Sequence, residues 1–335
     1  MEVVIEMEIF ATIYDNRHDI LYDVSEAIYD ISITTYLDDN AGKCTFKVIR
    51  IDGLAFWEGA TISITVDGRG IFKGFIFKKE RNELIEDISC TAYDAIRYLK
   101  NKDSKVFENK TSAQIFSQLC DEYVLNYNIV DSSSYICAPR NEENQYLYQM
   151  IKNALDDTLI NTGEWFIIRD NFGTLEHINI LSLDTDIVLG DKSGVSSLDY
   201  TTTIDDEQYN QIKLYRANEE TGKTDVFIVN DTVNGGQNIK EWGILQLYQK
   251  VDENLNLAQI EQRALGMLNL YNHTGRELSF SDCLGNFDVC AGSFVTINIS
   301  DIGDLSIYKK LLVTECTHKL KNNEHLMDLT VRLVI

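Results

Sequence analysis

Apolar and polar residues alternate with a period of two in two long blocks, one toward each end of the 335-residue chain. This alternation is typical of β-strands that have one face against a core and the other toward solvent. In the first block the alternating segments are 43–50, 62–66, 71–77 and 85–92. In the last block they are 277–281, 293–300, 310–318 and 325–335. Both ends of the chain are therefore predicted to form antiparallel β domains.

A turn signal joins two segments of the first block. Asp67-Gly68-Arg69-Gly70 separates the strand that ends at Val66 from the strand that begins at Ile71. An Asp-Gly pair between alternating segments is a strong hairpin signal, because a two-residue turn needs residues that accept a positive φ. We therefore predict a β-hairpin here.

The middle of the chain has helical periodicity. Thr111 and Gln114 have the spacing of a capping box, and an amphipathic pattern follows them. A second amphipathic helix is predicted from about Asn144 to Gly163, since glycine commonly ends a helix. Residues 165–181 then predict a hairpin, so this region is predicted to be a small α/β unit.

Strand patterns return at 211–216 and 225–230, and another helix is predicted at 257–271. The predicted fold class is α+β, mainly β, with two antiparallel β-barrel-like domains, a small α/β domain between them and a helical insertion in the second. The predicted domains are 1–95 (first β domain), 96–190 (α/β middle domain) and 191–335 (second β domain), with the helical insertion at about 240–275.

The net charge of −23 argues against nucleic-acid binding and against an anionic membrane surface. No apolar run approaches the length of a membrane span, and the first residues lack a secretory-signal pattern. The acidic excess is typical of a soluble protein, or of residues that line a channel through which polyanions pass. Seven cysteines without a C-x-x-C motif predict buried free thiols in a reducing compartment.

Sequence motifs of common enzymes and cofactor sites are absent. The sequence has no P-loop, no dinucleotide-binding glycine motif, no H-E-x-x-H and no G-x-S-x-G. Asp184 and Asp186 begin like a calcium loop, but Val188 and Leu189 stand where a ligand and a glycine are needed. We therefore predict no catalytic residues and no cofactor.

His318 and His325 are the weak candidates for metal ligation. They flank a predicted turn at 319–324 and could face each other across a hairpin. Two imidazoles are fewer than the three or four ligands that zinc needs, although Glu315 or Cys316 could add one. A cross-strand pair at the surface, without a metal, is the preferred interpretation, and no metal is predicted.

Adjacent acids offer an alternative interpretation as the two carboxylates of a glycosidase. These acids are Asp38-Asp39, Asp156-Asp157 and Asp205-Asp206-Glu207. Adjacent pairs are expected in a chain with 53 acidic residues, so we favour solvated faces or helix caps.

A set of motifs beginning at Thr91-Ala92-Tyr93-Asp94 resembles the baseplate hub proteins of contractile phage tails and tailocins. The relevant group is the PBSX-like prophage branch of the late control protein D superfamily. The resemblance covers roughly residues 60–335. The first 60 residues match the family only in their β character. The motifs that carry it are Ala92-Tyr93-Asp94 with Leu99, the helix 147–159, Arg169-Asp170-Asn171-Phe172-Gly173, Trp242-Gly243-Ile244-Leu245-Gln246, and Thr317-His318 with His325-Leu326-Met327-Asp328-Leu329.

This resemblance implies a non-enzymatic structural subunit that forms a homotrimer. Three copies, each with two similar β domains, would form a ring that joins a sixfold tail tube to a threefold central spike. The implied partners are the tube protein, the spike protein and other baseplate proteins, without specific nucleic-acid binding or membrane insertion. The protein would be made in the bacterial cytoplasm and released by lysis in a phage or tailocin particle.

Two alternative functions follow from the same kind of particle. A glycan-binding or adhesin component would need an exposed aromatic platform, for which Trp57, Trp165 and Trp242 are the tryptophan candidates. A peptidoglycan hydrolase would need the paired carboxylates. Many relatives carry or recruit a wall-degrading module, but the sequence ends directly after its last predicted strand, so we expect none.

Overall fold

The predicted mainly β, α+β class is confirmed. The structure is a computed structural model that describes residues 7–38, 40–82, 85–190, 197–205, 208–218, 223–232, 235–251, 255–302 and 305–333. Its strands form two β lobes, with an α/β unit between them in the sequence and a further unit inserted into the second lobe. Across the described residues, no helix has both the length and the apolar content needed to cross a membrane.

The first β lobe contains strands β1 to β7. Their bounds are Ile9–Asp15, Ile20–Asp23, Ile28–Tyr36, Lys43–Ile49, Thr61–Val66, Arg69–Asn82 and Ile85–Tyr93. The strands are hydrogen-bonded in the order β2-β1-β5-β6-β7-β4-β3. Their inward-facing residues form one buried cluster, which includes Phe46 and Ile62. The predicted hairpin is confirmed, but its turn is Asp67-Gly68 alone, with φ of 50° and 76°, and β6 begins at Arg69, before the predicted Ile71.

The middle unit follows directly from β7. Its elements in chain order are a 3-10 turn (Ala95–Lys100), β8 (Lys102–Phe107), α1 (Ser112–Glu122), β9 (Tyr127–Ile129), β10 (Arg140–Tyr146), α2 (Leu147–Thr162), β11 (Phe166–Asn171), β12 (Thr174–Asn179) and a 3-10 turn (Ile180–Leu183). The capping box at Thr111 and the helix end at Gly163 are both confirmed. Helix α2 begins at Leu147, not near Asn144, because the preceding residues pair with β8.

The second lobe and the unit inserted into it contain the remaining elements. In chain order they are β13 (Asp184–Gly190), β14 (Ser197–Thr203), β15 (Gln211–Asn218), β16 (Lys223–Asn230), α3 (Gln237–Trp242), β17 (Gln246–Lys250), α4 (Leu257–Tyr271), β18 (Gly275–Leu284), β19 (Phe294–Ile302), β20 (Leu305–Lys321) and β21 (Glu324–Arg332). The 17-residue strand β20 pairs with both β19 and β21.

One strand pairing joins the two lobes. Strand β20 is also antiparallel to β3, with Thr317 opposite Thr34, so the lobes form one sheet of 13 strands. Leu320 on β20 is buried in the core of the first lobe. The two β lobes are therefore connected by backbone hydrogen bonds and by shared packing, and not by a linker.

The inserted unit has its own sheet and its own core. Strands β16, β15 and β17 are hydrogen-bonded in that order, and Ile212 and Leu214 pack with Ile260 and Ala264 of α4. The predicted helical insertion at about 240–275 covers α4, β17 and part of α3, whereas β15 and β16 also belong to this unit in the structure.

Candidate assembly surface

His318 and His325 lie in contact on the hairpin of β20 and β21. Nδ1 of His318 is 2.9 Å from Nε2 of His325, and Nε2 of His318 is 2.9 Å from the carbonyl oxygen of Val289. Because a carbonyl oxygen only accepts, Nε2 of His318 donates to it and Nδ1 of His318 accepts from His325. This arrangement requires the His318 ring to be neutral, because its Nδ1 must be unprotonated to accept. The connecting turn is Asn322-Asn323, shorter than the predicted 319–324 segment.

The predicted surface position of this pair is wrong, because His318 is buried. Burial keeps both imidazoles uncharged at neutral pH. Desolvation, with the neighbouring His325 and Arg69, lowers the pKa of His318 to about 4, and desolvation lowers the pKa of His325 to about 4. The Cys316 Sγ atom lies 3.3 Å from Nε2 of His318, and the Phe287 ring stacks on His325. Within the described ranges, no three His, Cys, Asp or Glu side chains are grouped so that they could hold a metal ion.

A second histidine network was not predicted from the sequence. Nδ1 of His177 is 2.7 Å from the carbonyl oxygen of Asp131, and its Nε2 is 3.1 Å from Oγ of Ser112. The ring nitrogen Nδ1 therefore donates and Nε2 accepts the hydroxyl proton. Ser112 and His177 both have an exposed fraction of 0%, so a substrate cannot reach this serine in the structure. The pair ties the start of α1 to β12.

Among the paired acids offered as glycosidase carboxylates, Asp156-Asp157 lies wholly within the described residues, and the favoured interpretation as a solvated face or cap is wrong for Asp157. Asp157 is 1% exposed and accepts from Nη2 of Arg140 at 2.8 Å and from Nη1 of Arg263 at 2.7 Å. Its neighbour Asp156 lies near Lys152 instead. Asp157 thus joins α2 to α4 of the inserted unit. Asp39, Asp206 and Glu207 lie outside the described residues.

The aspartate in the Ala92-Tyr93-Asp94 motif has a structural explanation. Asp94 is buried, and its carboxylate accepts from the backbone N–H of Gly42 at 2.8 Å and of Ile96 at 3.0 Å. A Cβ at Gly42 would lie 2.3 Å from Oδ2 of Asp94, which explains the glycine. Asp170 accepts from the backbone N–H of Ala95 at 3.0 Å. Burial raises the pKa of Asp94 well above its usual value, and the nearby Asp170 carboxylate adds to that shift.

The seven cysteines are free thiols, as predicted. Six of them are buried, and Cys290 is partly exposed. Desolvation raises the pKa of the Cys44 thiol above its usual value, so this thiol stays protonated at neutral pH. The cysteines are therefore core residues in this fold.

The outer face of the inserted sheet, here called the insertion face, is apolar and basic. It consists of the outward residues of β15, β16 and β17, which are Gln211, Lys213, Tyr215, Thr224, Val226, Ile228, Asn230, Gln246, Tyr248 and Lys250. Val226, Ile228 and Tyr248 are 46%, 51% and 54% exposed. Tyr215 stacks on Tyr248 with ring centroids 4.5 Å apart. These ten positions include two lysines and no carboxylate.

A groove on the first lobe has the opposite charge. This groove, here called the acidic groove, has a volume of about 550 Å³ and is lined by Glu8, Ile9, Phe10, Asp23, Ser25, Glu26, Ala27, Ile49 and Ile51. Phe10, Ile49 and Ile51 are 50%, 43% and 46% exposed. Its lining has three carboxylates and no basic residue. The insertion face and the acidic groove are thus complementary in charge and similar in apolar character.

The tryptophans do not form an open aromatic platform. Trp57 is 43% exposed, but the Arg17 guanidinium lies 4.5 Å from its ring centroid and covers it. Trp165 packs against a buried cluster, and Trp242 is half-buried. The platform that a glycan-binding function would need is therefore not apparent at these three residues.

The comparisons with known proteins agree with the resemblance seen in the sequence. The Bacillus subtilis phage-like element PBSX protein XkdQ is 24% identical over 82% of this chain and 81% of its own length. The 43 kDa tail protein of prophage MuSo2 from Shewanella oneidensis has a TM-score of 0.68 at 13% identity, over 97% of this chain and 98% of its own.

A more distant structure has the same fold in a different machine. The E. coli c3393 protein, a type VI secretion system component that is structurally similar to T4 bacteriophage tail proteins gp27 and gp5, has a TM-score of 0.52 at 10% identity, over 92% of this chain and 74% of its own. At these identities the structural likenesses show the fold. The profile of the YQBQ-like family matches residues 31–332. The chain therefore belongs to the YQBQ-like family.

Proposed function

We propose that this protein is a structural hub subunit of a contractile tail baseplate. Three copies form a ring that joins a sixfold tail tube to a threefold central spike. The observation that carries the proposal is the single sheet that fuses two β lobes through β3 and β20. Because each chain holds two lobes in a fixed relation, three chains present six strand-built lobes in a ring.

The comparisons support a role in a tail. The fold matches a prophage tail protein over nearly the whole of both chains, and a PBSX protein is a relative over most of its length. The proposed partners are the tube protein, the spike protein and other baseplate proteins. The particle is a phage tail or a tailocin, assembled in the bacterial cytoplasm and released by lysis.

The proposed role requires no chemistry of the protein itself. The buried serine and histidine of the middle unit and the doubly paired Asp157 are occupied by contacts within the fold. These contacts support a non-enzymatic subunit. A zymogram on cell walls tests this point, and clearing by the purified protein would contradict it.

The position in the particle is tested by labelling. We expect a small tag at the exposed Val124 loop, which is 90% exposed, to appear at the junction of tube and spike in electron micrographs of released particles. We also expect particles to be lost when the gene is deleted and restored by the tagged chain. A tag that appears along the tube or the sheath, or intact particles without the protein, would contradict the hub role.

A further inference from the structure

We infer that the insertion face of one copy docks into the acidic groove of the next copy. The contact joins an apolar face that has two lysines to an apolar groove that has three carboxylates. This inference deepens the proposed function, because it rests on the proposed trimer and names the two surfaces that close the ring.

Symmetry requires two different surfaces on each chain. A threefold ring cannot be built from a self-complementary patch. Such a patch pairs two copies with each other, and neither copy then has a free patch to bind a third. Each copy must instead present one surface to the copy before it and another to the copy after it. The insertion face and the acidic groove are two such surfaces on separate units of the chain.

Charge identifies the occupant of the insertion face. The chain has 53 acidic and 30 basic residues, yet the ten outward positions of the insertion face have Lys213 and Lys250 and no carboxylate. Like charges directly opposed across an interface are costly, so a basic face fits an acidic partner surface. The rest of this chain supplies such a surface in Glu8, Asp23 and Glu26.

Apolar area on both surfaces supplies the driving force. Val226, Ile228 and Tyr248 on the face and Phe10, Ile49 and Ile51 in the groove are each 43% to 54% exposed. Burying such side chains contributes roughly 25 cal/mol per Å² of apolar surface. Tyr248 is held by stacking on Tyr215, so it loses little side-chain freedom on docking. The lysines and carboxylates then form the polar rim and fix the orientation.

Charge reversal tests the two surfaces. The variant K213E/K250E places carboxylates on the face, and the variant E8K/E26K places lysines in the groove. We expect each variant to raise the trimer dissociation constant at least about tenfold in sedimentation velocity at low salt. The control K240E/K309E makes the same change in net charge as K213E/K250E, at exposed positions outside the insertion face, and it should leave the trimer intact. Circular dichroism establishes that each variant is folded.

Combining the reversals distinguishes this contact from a general charge effect. The fourfold variant K213E/K250E/E8K/E26K reverses both surfaces in one chain, so it should restore the closed trimer. A mixture of the two double variants can pair only unlike copies. Because three is odd, a ring of three would hold one repulsive contact, so the mixture should form pairs and open chains. Failure of the fourfold variant to restore the trimer would overturn the inference.

Photo-crosslinking detects the contact even when it is weak. Benzoylphenylalanine at position 248 should crosslink to peptides that contain residues 8–10, 23–27 or 49–51 of another copy, and the same probe at position 124 should not. Crosslinks from 248 to other regions, or a wild type that stays monomeric without crosslinks, would overturn the docking. A K213E/K250E variant that still trimerises would overturn the docking of the two surfaces but would leave the proposed hub role intact. A tag found elsewhere in the particle would contradict the hub role and would leave the docking untouched.

Discussion

Asp157 connects parts of the chain that are far apart in sequence, and its removal should be costly. Replacing Asp157 with Asn leaves Arg140 and Arg263 largely buried without their carboxylate, with side chains 13% and 17% exposed. We expect a loss of about 3 kcal/mol in the free energy of unfolding, measured by urea denaturation at neutral pH. The control is Asp156→Asn, which changes a 36%-exposed partner of Lys152 and should cost less than about 1 kcal/mol. Equal losses of unfolding free energy in the two variants would contradict the role of Asp157 as the partner of the two arginines.

The histidine pair should make stability depend on pH. The folded-state pKa of His318 is about 4, below the 6.5 of an unfolded histidine, so the unfolded state binds the proton first. The stabilising contribution is therefore full above pH 6.5 and is lost as the pH falls toward 4. His318→Gln keeps a donor and an acceptor but cannot titrate, so between pH 7 and 4.5 the wild type should lose up to about 3 kcal/mol relative to this variant. If the free energy of unfolding changed with pH by the same amount in the wild type and in the variant, the proposed effect of His318 would be refuted.

Some of these residue-scale features follow from sequence and others do not. The sequence predicts that His318 and His325 could face each other across a hairpin. In the structure they are diagonal neighbours, because the register places His318 opposite Met327 and His325 opposite Leu320. The partners of Asp157 lie 17 and 106 residues away, and no local pattern indicates them. The contact of Ser112 with His177 is likewise a product of tertiary packing.

Helix α1 depends on its capping box at the scale of the element. Thr111 accepts from the backbone N–H of Gln114, and the Gln114 side chain accepts from the backbone N–H of Thr111. Thr111→Ala removes the first of these contacts and should destabilise the protein by about 1 kcal/mol in thermal or urea unfolding. Thr111→Ser retains the hydroxyl and should cost a small part of that. A similar loss in both variants would show that the methyl group matters more than the cap.

Elements with local signals were predicted well. The bounds of α4 agree with the predicted 257–271, because its periodicity and its cap at Asn256 are encoded within the helix. Strand β10 lacks alternation and is held by its pairing with β8, so the sequence pattern predicts part of it as α2. Strand β17 pairs in parallel with β15, more than 30 residues earlier, and parallel partners leave no turn signal between them.

At the scale of the whole molecule, the pairing of β3 with β20 makes the two lobes one cooperative unit. Both strands have neighbours on each side, and Leu320 of β20 lies in the first-lobe core. The sequence predicts two β domains, since each has its own alternation. It gives no signal that an edge of one domain pairs with an edge of the other, because that pairing depends on residues almost 300 positions apart.

The inserted unit, in contrast, should be removable. Thr203 at the end of β14 lies opposite Gly275 at the start of β18, so the chain leaves and re-enters the lobe at one cross-strand pair. Replacing residues 204–274 with Asn-Gly would close this pair as an ordinary hairpin. The deletion removes a core that is separate from the cores of the lobes. It also removes the Arg263 contact to Asp157 and the side chains that pack on Ile160. We therefore expect a folded protein that unfolds cooperatively at a lower temperature.

The same deletion separates folding from assembly. The shortened chain keeps the acidic groove of the first lobe but has no insertion face, so it should be monomeric by itself. Its groove should bind the insertion face of a wild-type copy, and the ring then cannot close because the shortened chain offers no face to another copy. Added in excess, it should reduce wild-type trimers in sedimentation velocity, and the shortened chain carrying E8K/E26K should not, because its groove repels the wild-type lysines. A shortened chain that is folded and still trimeric would place the ring contacts outside the inserted unit.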